Sequence, residues 1–234
     1  ESSDQTYVGL ADADFRKDAH SRYGLSAYDN MDNSHETTSF NYVADFGNLE
    51  LSATMYDNDF ARNWFKVDKI DNNKVYGHGN GINNIIAAAN AGEATASAIL
   101  NGTNAEAVEI KLKNNNRAYT SEGTDLKLQY TTENQSLTIG YRDTEDSEDR
   151  FQVYAYADWL NGQLGAMTVG SDPGYSSNNR VTKAQATAFY INEEINFGAL
   201  TVNLGYRSED WEISQDRYVD AARSAIATDK GYPK

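Results

Sequence analysis

The chain has 234 residues, 39 % of them apolar, no Cys, and 20 Lys and Arg against 35 Asp and Glu, for a formal charge of −15. That charge disfavours wrapping nucleic acid or holding an anionic membrane surface through a basic face, and the lack of thiols excludes a disulfide scaffold, a thiolate zinc site and a cysteine nucleophile. The longest apolar run, 85–89, falls far short of the roughly 20 residues of a spanning helix, whereas 17 Gly, 16 Tyr and 2 Pro suit a strand-rich protein with polar connections.

Residues 1–35 lack sustained alternation, apart from a candidate edge strand over 7–10. The chain opens at Glu1 without an initiator Met, a charged n-region or an apolar h-region, so any export signal is expected to have been removed or to lie outside this stretch. From 36 to 46, Phe40, Tyr42, Ala44 and Phe46 alternate with Ser39, Asn41 and Asp45, a period of two that predicts a strand. Gly47-Asn48 turns the chain, and Leu49, Leu51, Ala53 and Met55 then alternate with Glu50, Ser52, Thr54 and Tyr56. The pair reads as a hairpin.

A long connection from Asp59 to Tyr119 carries two Ala- and Ile-rich stretches, 82–91 and 93–100, each followed by a Gly, Gly92 and Gly102. These predict one or two short helices in an outer loop; an irregular Ala/Asn segment is the alternative, because helix propensity is a weak guide. A second hairpin sets Leu126, Leu128 and Tyr130 against Asp125, Lys127 and Gln129, turns at 133–135, and returns with Leu137, Ile139 and Tyr141 against Thr138, Gly140 and Arg142. The acidic run that follows at 145–150 is expected to be another connection. A third pair runs over 151–160, turns at Asn161-Gly162, a favoured type I′ dipeptide, and resumes weakly at Gln163.

After a Ser/Asn/Gly segment near 170–182, a fourth hairpin alternates Phe189, Ile191, Ile195 and Phe197 with Tyr190, Asn192, Glu194 and Asn196, turns at Gly198-Ala199, and returns through Leu200, Val202, Leu204 and Tyr206 against Thr201, Asn203 and Arg207. Residues 214–234 read as irregular. Short and long connections thus alternate along about eight strands. That parity gathers all tight turns at one end and all long connections at the other, as in outer-membrane barrels.

Several strings also resemble TonB-dependent outer-membrane receptors of the ferric-citrate and ferric-siderophore type. They are YVGLADADF from Tyr7, RYGLSAYDNMDNSHE from Arg22, NDFARNW from Asn58, ILNGT from Ile99, NNNRAYTSEG from Asn114 and EDRFQ from Glu148. The resemblance implies an importer with a barrel of about 22 strands, an amino-terminal plug and a short motif that engages TonB. This chain shows neither plug nor motif nor closing strand, so the expected fold is all-β: 1–234 as one internal section of an antiparallel up-and-down transmembrane barrel, its strands within 36–212, with long extracellular loops. The implied function is TonB-dependent import of a ferric chelate across the outer membrane of a Gram-negative bacterium. Its expected partners are the chelate, TonB through a segment absent from this chain, and outer-membrane lipid, with no nucleic acid and a monomeric complete receptor. Iron enters only as cargo, and no cofactor is expected.

In that reading the apolar sets face lipid, while Asp125, Lys127, Gln129, Thr138, Arg142, Asn203 and Arg207 face an aqueous lumen; the solvated side of a one-faced sheet would pattern in the same way. Guanidinium groups and aromatic rings suit an anionic chelate, since Arg contacts carboxylates in a bidentate manner. The candidates are Arg62, Asn63, Trp64 and Lys66 at the end of the second strand, Arg117 and Tyr119 where the long connection re-enters, and Arg150 after the acidic run. Ion pairs that anchor loops, or an interfacial girdle, are the alternative roles for each. The carboxylates of 143–149 lack the spacing and central Gly of an EF-hand, and His20, His35 and His78 form no zinc pattern. No nucleophile elbow or P-loop occurs, so an enzyme is not expected. Two rivals remain open: a complete small eight-stranded barrel with a porin, structural or adhesive role, and a secreted glycan-binding or hydrolytic sandwich.

Overall fold

The computed structural model describes residues 1–70, 81–170 and 179–229. Its centre is six long strands: β2 (Asn30–Asp45), β3 (Leu49–Ile70), β4 (Val108–Thr131), β5 (Gln135–Leu160), β8 (Asn179–Asn196) and β9 (Thr201–Tyr218). Short strands β1 (Ser2–Ser3) and β10 (Ile226–Asp229) flank them, and β6 (Gln163–Leu164) and β7 (Thr168–Val169) pair with β5. All pairings are antiparallel, in the order β1-β2-β3-β4-β5-β8-β9-β10. The result is one large sheet that does not close into a barrel among the described residues. Helices α1 (Asp12–Lys17), α2 (Gly81–Asn90) and α3 (Ala94–Asn101) and a 3-10 turn at Gly24–Ser26 complete the chain. None of these helices is long and apolar enough to cross a membrane.

The tight turns arise from local chemistry. Gly47 and Gly198 take φ of 81° and 79°, a region open to Gly at little cost. Each backbone N–H donates to the side chain two residues earlier, Gly47 to Asp45 at 2.7 Å and Gly198 to Asn196 at 2.9 Å, an Asx arrangement that presets the reversal. The Asn161-Gly162 turn also forms, with φ of 48° and 74°. The expected helices are present as α2 and α3, and Gly92 and Gly102 are left-handed at φ 84° and 74°.

Other expectations need correction. The run 145–150 is no connection: it lies inside β5, fully paired to β4 on one side and β8 on the other. Flanking hydrogen-bonded partners hold its carboxylates in a strand that composition alone would not suggest. The strand after Asn161-Gly162 shrinks to the two residues of β6, because β8 takes most of the edge of β5. Strands β3 and β4 reach Ile70 and back to Val108, far beyond Asp59 and Tyr119. β2 starts at Asn30 and β9 runs to Tyr218, whereas 7–10 forms no strand. Most of the Ser/Asn/Gly segment (171–178), His78 and 230–234 lie outside the described residues. The connections after β2, β4 and β8 are short and those from β3 to β4 and from β5 to β8 are long, so the turns at Gly47, 132–134 and Gly198 share one end. The Asn161-Gly162 turn, expected there too, lies at the opposite end beside Trp159, because β5 runs on past 150 as a single strand paired to β4.

The buried core sits at the opposite end. Val67 and Ile70 of β3, Ile110 and Leu112 of β4, and Ala157 and Trp159 of β5 pack against Ile82 and Ile85 of α2, Ile99 and Leu100 of α3, and Val8, Tyr23 and Leu25 of the amino-terminal segment. Trp159 is fully buried, and its Nε1 donates to the Ile99 carbonyl at 2.9 Å. Asp29, also buried, ties the amino-terminal segment to the sheet by accepting the backbone N–H groups of Val67 at 2.9 Å and Tyr7 at 3.2 Å.

Candidate functional site

Side chains alternate between the two faces of a sheet, so the register assigns each residue to a face. One face carries, near the tight turns, the cross-strand row Ala44-Leu51-Leu128-Ile139-Ile191-Tyr206 and beside it Tyr42-Ala53-Leu126-Tyr141-Phe189. This apolar band runs about 20 Å along a strand such as β3, from Leu49 to Met55. It is uncovered: Leu126 is 39 % exposed, Phe189 47 % and Leu204 63 %. Above it on the same face, Asp57, Glu122 and Glu145 stand opposite one another on β3, β4 and β5. Exposed apolar patches of this extent mark a surface that meets something other than water.

The other face is polar near the turns. Asp125, Lys127, Gln129, Thr138, Arg142, Asn203 and Arg207 all lie on it, as expected from alternation. Arg207 pairs with Glu209 at 2.9 Å, while Arg142 with Asp125 and Lys127 with Glu50 are 3.9 Å apart.

Farther from the turns, the same face gathers cations. Arg62 pairs across the strands with Arg117, Arg117 with Arg150, Arg150 with Arg180, and Arg180 with Arg217. Five arginines thus form one row over five adjacent strands, spanning roughly 19 Å at the usual strand spacing. Glu148 serves two of them, accepting from Arg117 through Oε1 and from Arg180 through Oε2, each at 3.0 Å. Arg62, Arg150 and Arg217 have no carboxylate within ion-pair distance among the described residues.

The Arg150 guanidinium donates to Gln152 Oε1 at 3.0 Å, and Arg217 Nε to Gln215 Oε1 at 2.8 Å. The Nε atoms of Arg150 and Arg180 are buried without a partner. Burial, with Arg117 and Arg180 alongside, pulls the Arg150 guanidinium below its usual pKa. Like charges directly opposite each other destabilise a sheet. One shared carboxylate does not offset five such neighbours, so the row is costly unless an anion meets it.

Aromatic rings border the row. Phe60 and Tyr119, themselves cross-strand partners, stack with centroids 5.9 Å apart on its turn side. Trp64 lies on the other side, in edge contact with Tyr7. Lys66 Nζ stands 3.3 Å from the Tyr7 ring centroid and 3.9 Å from the Trp64 ring. Burial, then the charge of Lys113 opposite, lowers its pKa to about 8. Lys113 itself pairs with Asp68 at 2.8 Å.

Of the candidates read from sequence, Arg62, Arg117 and Arg150 therefore meet in one row, with Trp64, Lys66 and Tyr119 on the same face beside it. None sits at a strand end or in a loop, as expected for them; all are strand-interior positions, because the pairing continues past them. Asn63 is the exception in direction: the pleat turns it to the opposite face, where its Oδ1 is buried without a partner. Arg180 and Arg217 are not among the residues singled out from sequence, and Glu148 enters there only as one carboxylate of the acidic run. Arg180 precedes the Gly198 turn by as many residues as Arg217 follows it, so hairpin register pairs them once the strands are carried far enough. The acidic run is split by the pleat, with Asp143, Glu145 and Asp149 on one face and Asp146 and Glu148 on the other. Among the described residues no three His, Asp or Glu side chains come together as a metal site. The chain matches no protein-family model and no curated protein sequence.

Proposed function

We propose that the chain is a section of the wall of an outer-membrane barrel of the TonB-dependent receptor type, and that its polar face lines the passage of an anionic ferric chelate. The observation that carries this reading is the uncovered apolar band: it lies on one face only, at the tight-turn end, away from the buried core. A height of about 20 Å along the strand is of the order of the roughly 25 Å band of outer-membrane barrels. The long connections, with their helices and packed core, then stand outside the membrane. The edges of β2 over 33–45 and of β9 over 201–215, which pair with no further strand among the described residues, are where further strands would add. The arginine row supplies the attraction for the chelate in a chain that is otherwise strongly acidic.

The absence of native Cys makes site-directed spin labelling direct. In phospholipid vesicles, a nitroxide at Leu128→Cys is expected to collide with oxygen dissolved in the acyl chains, and one at the adjacent Lys127→Cys with an aqueous nickel chelate. Equal access of the nickel chelate to both positions would overturn the membrane assignment. Binding of a panel of ferric chelates by the Arg62→Gln and Arg117→Gln variants tests the cargo: unchanged binding of every chelate excludes these side chains as contacts.

A further inference from the structure

The arginine row is not evenly charged. Arg117 and Arg180 share Glu148, whereas Arg62, Arg150 and Arg217 lack a carboxylate. Guanidinium groups paired to a carboxylate and groups free of one therefore alternate strand by strand: Arg62 free, Arg117 paired, Arg150 free, Arg180 paired, Arg217 free, with Arg150 and Arg217 bonded to the neutral Gln152 and Gln215. Successive free groups start two strands apart, about 10 Å. A compact anion centred on the row reaches one of them, or competes with Glu148 for the paired ones. Engaging the free groups together needs a ligand extended across the strands.

The surroundings suit the body of such a ligand. The stacked Phe60–Tyr119 pair lies along one side of the row at β3 and β4, and Trp64 lies on the other. These rings offer apolar surface between charged contacts, and guanidinium groups favour the planar, bidentate geometry of carboxylates. The buried, unpartnered Nε of Arg150 leaves the central guanidinium short of a hydrogen-bond partner.

We infer that the row is a track for an elongated polycarboxylate lying across the strands, with acid groups about 10 Å apart seated on Arg62, Arg150 and Arg217. The inference rests on the proposed ligand-bearing role of the polar face, and it names the class of anion that face selects. It does not depend on the opposite face meeting lipid.

The test uses two rigid probes on the full chain in detergent micelles at constant ionic strength. The acid groups of para,para′-biphenyldicarboxylate stand about two strand spacings apart and those of terephthalate about one. Isothermal titration is expected to show the biphenyl probe binding at least about tenfold tighter, since its second contact forms intramolecularly. Arg150→Gln removes the centre of both pairs spaced about 10 Å apart and should abolish the preference, whereas Arg62→Gln leaves the Arg150–Arg217 pair and should only weaken binding of the biphenyl probe. Neither threatens folding, because each removes a like-charge opposition. Arg207→Gln, on the same face but nearer the turns, should keep it.

Equal affinity for the two probes, or a preference that survives Arg150→Gln, would overturn the inference. The spin-label result at Leu128→Cys is read separately. A label there that meets water while the biphenyl preference persists ends the membrane assignment and leaves the polycarboxylate track standing.

Discussion

The ring of Tyr190 fills the space that a side chain at Gly140, its cross-strand partner, would need: a Cβ added to Gly140 would overlap the ring. Gly140 lies on the polar face between Lys127 and Tyr190, so the ring covers backbone that Gly leaves bare. Gly140→Ala should push Tyr190 aside and cost roughly 1 kcal/mol. Urea denaturation checks this through a double-mutant cycle with Tyr190→Ala. Because the clash vanishes when the ring is removed, the two substitutions should be non-additive. Strict additivity would mean that the ring and the Gly are not coupled.

The core at the long-connection end depends on Trp159, which joins β5 to α3 through its buried ring and its bond to Ile99. Trp159→Ala is expected to cost about 3–5 kcal/mol through the cavity it leaves. The damage should be local. Hydrogen exchange should accelerate in α2 and α3 while the amides around Leu128 and Ile139 keep their protection, since no core residue lies there. Uniform acceleration across the sheet would contradict the separation of core and band.

Lys66 makes stability depend on pH in a known direction. It lies far beyond Met55, the last residue of the apolar band on β3. In the folded chain it gives up its proton near pH 8, against the ordinary lysine value of 10.5. Between these values the unfolded chain binds more protons, so stability rises with pH across this window as the penalty for burying the charge is relieved. The difference in unfolding free energy between the wild type and Lys66→Met should therefore shift in favour of the wild type from pH 8 to pH 10.5. A flat difference would mean that the charge is not desolvated.

The two faces should respond oppositely to charge. Leu128→Arg places a cation in the apolar band and is expected to cost about 2–4 kcal/mol of folding into a bilayer. Gln129→Arg, one residue on and facing the polar side, should stay within about 0.5 kcal/mol of the wild type. Folding yields in phospholipid vesicles, followed by protease protection, separate these outcomes. Equal losses would remove the distinction between the faces.

How much of this was legible beforehand differs from element to element. The period-two pattern around Leu128 and Ile139 marks both faces, and Asp45-Phe46-Gly47 and Asn196-Phe197-Gly198 mark their turns, because pleat and turn geometry are local properties. α2 and α3 were visible through their composition and their terminal Gly residues. The carboxylates of 143–149 concealed the continuity of β5, since a strand interior so rich in charge forms only when β4 and β8 supply hydrogen bonds on both edges.

The same limit applies to the arginines. Local sequence determined the residue types, the alternation and the direction in which Arg62, Arg117 and Arg150 point relative to their neighbours. The alignment of these three with Arg180 and Arg217, and the sharing of Glu148, were decided by tertiary structure. Register between β3 and β4 is set across a connection of 37 residues, 71–107, and by the packing of side chains from several strands at once. Which charges become neighbours is therefore a property of the assembled sheet, not of any segment within it.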